Sequence, residues 1–516
     1  MMYSFNLIEQ PWIPCVQANG QVQELSLRQT LTRSREFVAM TGDTPLETAA
    51  IYRLLLAVLH SALRGPSNAK SWQKIWSAGT LDAPWLHEYL DQWKHRFDLF
   101  DPQRPFYQAA DERARPKSII SLVMEMASGN NASLFDHHIE SEGAVLSVAK
   151  AARVLVTAQT FGLCGLSGME QKFTDCPWAR GVIFLVSGDT LFDLLVLNLA
   201  TAIVQQRIPV TGPDQPAWES DNPYLPDREV PLGYLDYLTW QNRRLLLIPE
   251  GEASAPTVSQ FTFAPALRLS ADVLDPMKHY RVDEKRGNLV LRFDEDRALW
   301  RDSAALFHLH SPAVAKPPEN FFAIASLAAD YGYLPSSSVL RFVALGMAND
   351  QAKIEFLRQE QLPLPLTYLQ DDEIIGLLSD GLTRAEQTFR ALQMAGKVLA
   401  LGVISSKDAD KNWKELDRNT KDRAASLYSH WGSDRVYWGA LELPFFRLLE
   451  DLPKNREQAL ANWNTEVHQT AWMSLDQAVE QAGDTPVALK AAVKARSILG
   501  GKLKEIFDQT QKEVIQ

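Results

Sequence analysis

A short stretch past the middle of the chain carries side-chain amides at the predicted tip of a turn. Asn349 and Gln351 lie within Gly346–Lys353, between an apolar run and an amphipathic run. An amide both donates and accepts hydrogen bonds, so these side chains suit recognition of base edges. Gly346 is predicted to make the turn, since glycine adopts conformations closed to other residues, and Asn349 tolerates left-handed backbone. An ordinary solvated turn is the alternative interpretation.

A second group of residues has the composition of a metal site. Asp136, His137 and His138 are consecutive and follow a Gly-Asn segment at Gly129–Asn131. Carboxylate and imidazole ligands hold metal ions in phosphohydrolases, so a metal-dependent phosphohydrolase is one hypothesis. A second His-rich patch, His308–His310, has alternate spacing and no convincing carboxylate set, and the chain has no C-x-x-C pair of the kind that binds structural zinc. A plain loop, or a loop that contacts nucleic acid, is the other interpretation.

Three glycines follow a predicted helix at a spacing of three residues: Gly162, Gly165 and Gly168. They are not the dinucleotide-binding fingerprint, which follows a strand, and they lack the Gly-Lys-Ser/Thr ending of a phosphate-binding loop. Glycine allows a backbone to approach another surface closely. The surface is either a neighbouring element of the fold or the groove of a DNA duplex.

Two basic stretches are candidates for contact with phosphates. Lys278 belongs to the basic-aromatic segment Pro276–Arg281, which on its own is typical of a solvated loop. The last predicted helix carries the most basic strip of the chain. This strip is either a solvated face or a surface that contacts phosphates or an acidic partner. Its cations include Lys490, Lys494, Arg496 and Lys502.

Overall charge argues against general coating of nucleic acid. The 516 residues include 52 Lys and Arg against 63 Asp and Glu, a net charge of −11. DNA contacts are therefore expected to be local and assisted by more basic partners. No run of 18 uncharged apolar residues and no secretory signal are seen, so no membrane association is expected. The three cysteines suit a reducing, cytoplasmic location without disulfides.

The elements that would position these residues fall into two parts. Residues 1–365 mix predicted strands, helices and proline-rich loops. One of the predicted helices is buried, begins at Pro45 and is capped by Asp43 or Thr44. From 366 onward strand patterns vanish and helical periodicity predicts four long antiparallel helices. The predicted fold class is α+β: a large mixed α/β domain (1–365) followed by a C-terminal four-helix bundle (366–516).

Several of these stretches, in this order, resemble one family: the large subunit (CasA) of type I-E CRISPR surveillance complexes, known as Cascade. The resemblance rests on the amide-bearing tip, the C-terminal bundle and four further segments. These are Phe5–Pro14, Gly129–His138, Trp178–Gly181 and Gly188–Phe192. Each motif alone is weak, but their combination is specific and spans essentially the whole chain.

The resemblance implies a protein that is not an enzyme. It implies recognition of the PAM, the short motif beside the target, through the minor groove of duplex DNA. Gln351, with Asn349 and Ala352 beside it, would be a wedge that starts strand separation. Gly162 and Gly165 would belong to a glycine loop that follows the groove, and Lys278 is the candidate for a lysine finger.

The resemblance also implies partners. Asn130, Asn131 and Phe135 would contact the guide-RNA end or the backbone subunits, and the bundle cations would contact DNA or a partner. The expected partners are CRISPR RNA, double-stranded target DNA, the backbone, small and guide-end-binding subunits, and a nuclease-helicase. No cofactor is implied, and no metal is expected, because the cysteines of the zinc knob found in some relatives are missing. A scaffold subunit that reads no DNA is the main alternative.

Overall fold

The computed structural model describes residues 3–124, 145–166, 168–204, 207–309, 314–335, 339–350, 353–405 and 413–513. The chain forms two compact units. The first comprises residues 1–299 and 309–370, and the second comprises 300–308 and 371–516.

Fifteen α-helices occur in the described residues. In chain order they are α1 (Leu27–Thr32), α2 (Pro45–Leu63), α3 (Ala69–Ala78), α4 (Pro84–Trp93), α5 (Val148–Phe161), α6 (Leu191–Leu199), α7 (Thr201–Val204), α8 (Tyr234–Leu238), α9 (Ser303–Phe307), α10 (Glu319–Ala329), α11 (Asp372–Ile404), α12 (Arg418–His430), α13 (Ser433–Asp451), α14 (Arg456–Ala482) and α15 (Pro486–Glu513). Short 3-10 turns occur between several of them.

Thirteen strands, all in the first unit, occur in the same residues. They are β1 (Ile13–Gln17), β2 (Val22–Leu25), β3 (Phe37–Met40), β4 (Lys117–Ser118), β5 (Leu146–Ser147), β6 (Ile183–Ser187), β7 (Arg243–Glu252), β8 (Ala255–Pro265), β9 (Tyr280–Asp283), β10 (Gly287–Val290), β11 (Ala315–Lys316), β12 (Val339–Asp350) and β13 (Lys353–Pro365). They form small sheets ordered β2-β1-β3, β10-β9-β11, β13-β12-β6 and β4-β8-β5, with β7 paired to β8. Together with the helical C-terminal region, they confirm the predicted α+β fold class.

Helix α2 forms the centre of the first unit. The Thr44 side chain accepts from the Glu47 amide and Pro45 occupies the first helical position, so the sequence signal for its start is confirmed. The helix ends at Leu63, and the capping residue Arg64 is left-handed with φ 50°. By length and composition alone α2 could cross a membrane, but 89% of its apolar window is buried, as in the core helix of a globular unit.

The β12–β13 hairpin carries the predicted amide tip. Its strands pair from Val339↔Pro365 to Asp350↔Lys353, and β12 also pairs with β6 as far as Leu345↔Ile183. The prediction that Gly346 makes the turn is wrong, because Gly346 pairs with Arg358 inside the ladder. Close approach favours glycine at this position, because a Cβ there would lie 3.0 Å from the carbonyl oxygen of Gly181.

The described part of the second unit is helical. Helix α11 packs against α12, α13, α14 and α15. Sequence reasoning predicted four long helices with an irregular piece around Pro444; that piece is helix α13, which accommodates Pro444 internally. The C-terminal region therefore contains five helices among its described residues rather than four. The unit also includes residues 300–308, which sequence reasoning assigned to the first domain.

Candidate nucleic-acid interface

The described end of the β12–β13 hairpin, Asn349, Asp350 and Lys353, is polar. Met347 and Ala348 are buried, whereas Asn349 is half-buried and Asp350 and Lys353 are exposed. The five residues from Gly346 to Asp350 extend the ribbon roughly 17 Å past its last pairing with β6. The body of the unit thus holds the ribbon as far as Ala348 and leaves Asp350 and Lys353 accessible. Gln351 and Ala352 lie outside the described residues.

The glycine segment begins where α5 ends, and hydrogen bonds from residues 173–176 hold its backbone. The carbonyl of Gly162 accepts from the Cys176 amide at 2.8 Å, and Gly165 forms an antiparallel bridge with Phe173. Asp175 accepts from the Cys164 amide at 2.8 Å and from Nε of Arg180 at 2.9 Å. The segment is therefore a loop whose backbone is anchored by residues 173–176.

The glycines of this loop differ in their surroundings. A Cβ on Gly162 would lie 2.5 Å from Cζ of Arg243, so Gly162 is needed for internal packing. A Cβ on Gly165 or Gly168 would meet nothing within 4 Å. The neighbouring Leu166 is 85% exposed. The packing interpretation of the glycine motif therefore holds at Gly162. Gly165 faces open space, and its approach to a DNA groove stays a prediction.

Lys278 is buried in this conformation. Its side chain is 6% exposed, and Nζ donates to the carbonyl oxygen of Pro177 at 2.6 Å. Burial lowers the pKa of the Lys278 ammonium to about 8. The ammonium does not face solvent here, so contact with DNA would require it to leave the Pro177 carbonyl. Its role as a lysine finger stays a prediction.

The solvated-loop interpretation of the segment around Lys278 is wrong. Residues from Pro276 to Tyr280 are buried, and only Arg281 of this segment is exposed. A polar network that sequence reasoning missed explains this burial. Buried Asp275 accepts from Nε1 of Trp178 at 2.6 Å and from the hydroxyl of Tyr237.

Two arginines complete the polar network around Asp275 and Lys278. Arg207 donates to the carbonyl oxygens of Asp275 and Lys278 at 3.1 and 3.0 Å. Arg53 lies 4.0 Å from the Asp275 carboxylate. The only local signal for this cluster is Asp275 directly before the basic-aromatic segment, because its partners come from distant parts of the chain.

Strand β6 and the segment before it connect the three candidate features. Ile183 pairs with Leu345 of the hairpin and forms a bridge with Lys278. Phe184 donates its amide to the carbonyl of Met277 at 2.9 Å. The segment 173–178, which holds the glycine loop, also provides the Pro177 carbonyl bound by Lys278. The first unit therefore supports the hairpin, the glycine loop and Lys278 on one continuous framework.

The bundle cations lie on α15 and differ in their ion pairs and exposure. Arg496 forms an ion pair with Asp476 of α14 at 2.9 Å, and Lys502 pairs with Glu505 at 2.6 Å. Lys490 is exposed and Lys494 is half-buried. Exposed ion pairs of this kind contribute little stability.

The remaining candidate residues lie outside the described part of the chain. These are Asn130, Asn131, Phe135, Asp136, His137 and His138. Within the described residues, no three His, Cys, Asp or Glu side chains come together in a way that could hold a metal ion.

Comparison with known proteins identifies the family. The model of the family "CRISPR-associated protein Cse1" matches residues 6–474. The chain belongs to this Cse1 family. The CRISPR-associated protein CasA/Cse1 of Thermus thermophilus is 32% identical over 522 residues, covering 98% of this chain and 99% of that protein. Neither description names a catalytic activity.

Solved structures of Cse1 proteins share the fold. The crystal structure of CasA from Thermus thermophilus matches with a TM-score of 0.80 and 29% identity, over 97% of this chain and 99% of that chain. A chain of a solved CRISPR RNA-guided surveillance complex matches with a TM-score of 0.74 and 22% identity, over 96% and 99% of the two chains. At that identity the second match establishes the shared fold alone.

Proposed function

We propose that this Cse1 protein is the large subunit of a type I-E CRISPR RNA-guided surveillance complex. In that role it recognises the PAM through the minor groove, starts strand separation with the hairpin tip and helps to recruit the nuclease-helicase. Family membership supports the subunit role, and the likeness to a chain of a solved surveillance complex is consistent with it. The partners proposed are CRISPR RNA, the other Cascade subunits, target DNA and the nuclease-helicase.

The observation that carries the DNA-reading part is the braced hairpin with a polar end. A wedge must resist the force of the base pairs that it separates, and β12 is held between β13 and β6 up to Leu345. The amide of Asn349, with that of Gln351 beside it in the sequence, can hydrogen-bond to bases that have lost their partners. The open side of Gly165 lets a backbone approach the narrow minor groove, whose hydrogen-bonding pattern is degenerate.

The hairpin tip is tested by replacing its amides. In the assembled complex, the double variant Asn349→Ala, Gln351→Ala is expected to slow R-loop formation about tenfold, since stacking is worth roughly 1.4 kcal/mol per base-pair step. Complex assembly should be unchanged. The matched control is Gln359→Ala, an exposed amide on β13 of the same hairpin, in the ladder opposite Leu345 rather than at the tip. R-loop formation at the normal rate by the double variant would reject the wedge.

Gly165→Ala separates DNA reading from folding. The added methyl group meets nothing within 4 Å, so the stability of the free protein should not change. If the loop contacts a duplex, the same methyl is overpacked against it, at roughly 1–3 kcal/mol. PAM-dependent binding should then weaken by about fivefold or more. Unchanged binding and PAM preference would favour the scaffold subunit that reads no DNA.

A further inference from the structure

A cavity of about 610 Å³ in the first unit takes no part in the DNA-reading features described above. Its walls come from residues 96–110, from residues 217–224 and from the segment 241–249, which includes part of strand β7. We call it the Gln241 cavity. It shares no residue with the hairpin, the glycine loop or the surroundings of Lys278.

Most of the cavity wall is apolar and belongs to the packed interior. Phe106, Trp218 and Tyr224 line the cavity and are 1%, 5% and 7% exposed. Leu246 and Ile248 of β7 extend the apolar surface and are half-buried. Apolar walls with a small number of polar groups are typical of a site for a drug-sized ligand.

Gln241 brings an amide nitrogen without a partner to this wall. The residue is 3% exposed, and its Oε1 accepts from the Tyr224 hydroxyl at 2.7 Å. Its Nε2 has no hydrogen-bond partner in the described part of the chain, yet this atom retains accessible surface. Since the side chain is otherwise enclosed and lines the cavity, Nε2 faces the cavity. Buried polar groups are normally satisfied, so an acceptor on a ligand is expected there.

Arg244 is a second donor that faces the cavity without a partner. Its guanidinium lies 4.6 Å from the centroid of the Tyr224 ring, and it forms no hydrogen bond or ion pair with any described residue. Arg113, with a smaller contribution from Arg244, lowers the pKa of Asp111 to about 2, but only Arg113 binds that carboxylate, at 2.8 and 2.7 Å. Tyr224 therefore positions both donors, Arg244 under its ring and Gln241 at its hydroxyl.

The lining carries one unmatched positive charge, in a chain whose net charge is −11. Three arginines, Arg96, Arg104 and Arg244, are opposed by Asp101 and Asp221, so the balance is 3 − 2 = +1. Asp221 binds Arg96 at 3.0 Å and also binds Arg104, while Asp101 accepts from two backbone amides of its own loop. These four charges cancel, so the unmatched charge is that of Arg244. One carboxylate matches it, whereas a phosphate monoester carries about −1.5 to −2.

We infer that the Gln241 cavity binds a carboxylate attached to an apolar, ring-sized group. The carboxylate accepts from the guanidinium of Arg244 and from Nε2 of Gln241, and the apolar group lies against the aromatic wall. Two donors and an unmatched positive charge favour an anion, and the apolar wall favours an organic one. This chemistry is provided by the C-terminal residue of a partner polypeptide or by a free aryl acid.

The ligand class is tested on the full-length chain by isothermal titration calorimetry. N-acetyl-phenylalanine should bind about tenfold or more tightly than N-acetyl-phenylalaninamide, which has a similar shape without charge, because charge-assisted hydrogen bonds are the stronger ones. It should also bind more tightly than phenyl phosphate and than N-acetyl-glycine, which lacks the ring. Equal affinity for the acid and the amide, or tightest binding by phenyl phosphate, would overturn the carboxylate. Equal affinity for N-acetyl-glycine would overturn the apolar group.

A tetrapeptide that ends in phenylalanine with a free carboxylate distinguishes the two sources. Tighter binding of the tetrapeptide than of N-acetyl-phenylalanine assigns the site to a chain terminus, because residues before the last one then also enter the cavity. Tighter binding of N-acetyl-phenylalanine assigns it to a small acid. A tetrapeptide amide that bound as well as the free tetrapeptide would overturn the proposal for either source.

Variants locate the site. Arg244→Gln removes the unmatched charge and should lower affinity for N-acetyl-phenylalanine about tenfold, with little change for the amide. Arg244→Lys keeps the charge without the planar fork and should retain part of the affinity. The matched control, Arg115→Gln, makes the same charge change at an exposed residue outside the lining and should leave both affinities unchanged.

Three results would overturn the assignment of Arg244. The first is unchanged affinity for the acid in Arg244→Gln. The second is an equal loss in the control. The third is an equal loss for the acid and the amide in Arg244→Gln with no recovery in Arg244→Lys, because Arg244 would then support the wall rather than contact the carboxylate.

Discussion

Replacement of Asp275 by alanine is expected to lower the free energy of unfolding of the first unit by about 3–5 kcal/mol, the usual cost of breaking a buried ion pair from one side. The Asp275 carboxylate is 2% exposed and lies 4.0 Å from the guanidinium of Arg53, whose side chain is 3% exposed. The substitution leaves that guanidinium buried without this carboxylate. It also removes the acceptor of the Trp178 indole and the Tyr237 hydroxyl.

Hydrogen-exchange mass spectrometry in increasing urea can measure this loss for each segment. Protection should fall in the peptides around Trp178 and in 275–280, where the network is concentrated. The control is Asp272→Ala, which removes an exposed carboxylate three residues earlier and should change stability by no more than about 0.5 kcal/mol. If Asp275→Ala were as mild as its control, the network would not be what holds the Lys278 segment in the interior.

The segment around Lys278 illustrates what sequence could not predict. Its polar residues favour a solvated loop when they are considered with their neighbours alone. They are buried because Trp178, Tyr237 and Arg207 reach them from distant parts of the chain. No periodicity or spacing in the sequence encodes those partners. The start of α2 was predictable for the opposite reason, since its cap and first-turn proline are local signals.

The hairpin was predictable in part. Apolar and amphipathic runs around a polar stretch indicated a tip, and the two strands of the hairpin are indeed paired up to Asp350 and Lys353. Gly346 was misplaced because glycine has two uses, turning and close approach, and the sequence does not distinguish them. The approach of Gly181, 165 residues away along the chain, decides in favour of the second.

Residues 300–308 show that position in the sequence also fails to predict which unit a segment belongs to. They lie between predicted strands, so chain order placed them in the N-terminal domain. Trp300, Leu306 and Phe307 are instead buried within the helical unit, at 1%, 0% and 0% exposure. A bundle defined by chain position alone therefore omits part of its own core.

The consequence is a second large effect, from Trp300→Ala. Trp300 stacks on Phe445 with ring centroids 4.6 Å apart and meets Trp438 and Trp463 edge to face. Truncation of a buried tryptophan to alanine costs about 3–5 kcal/mol, from lost apolar burial and the cavity that remains. The unfolding transition of the helical unit, followed by differential scanning calorimetry, should move to lower temperature.

A control on α13, the helix that carries Phe445, shows whether the lower transition temperature comes from lost packing. Leu443 lies on α13 near Phe445 in sequence but is 68% exposed, so Leu443→Ala should leave the transition almost unchanged. The neighbour Arg301 has anchors of its own: an ion pair to Glu386 at 2.7 Å, and a guanidinium 3.6 Å from the centroid of the Trp438 ring that Trp300 also contacts. The ion pair keeps the segment attached when Trp300 is truncated, so the loss reports packing rather than detachment. If Trp300→Ala and Leu443→Ala were equally mild, residues 300–308 would be a surface attachment and the helical unit would begin at Asp371.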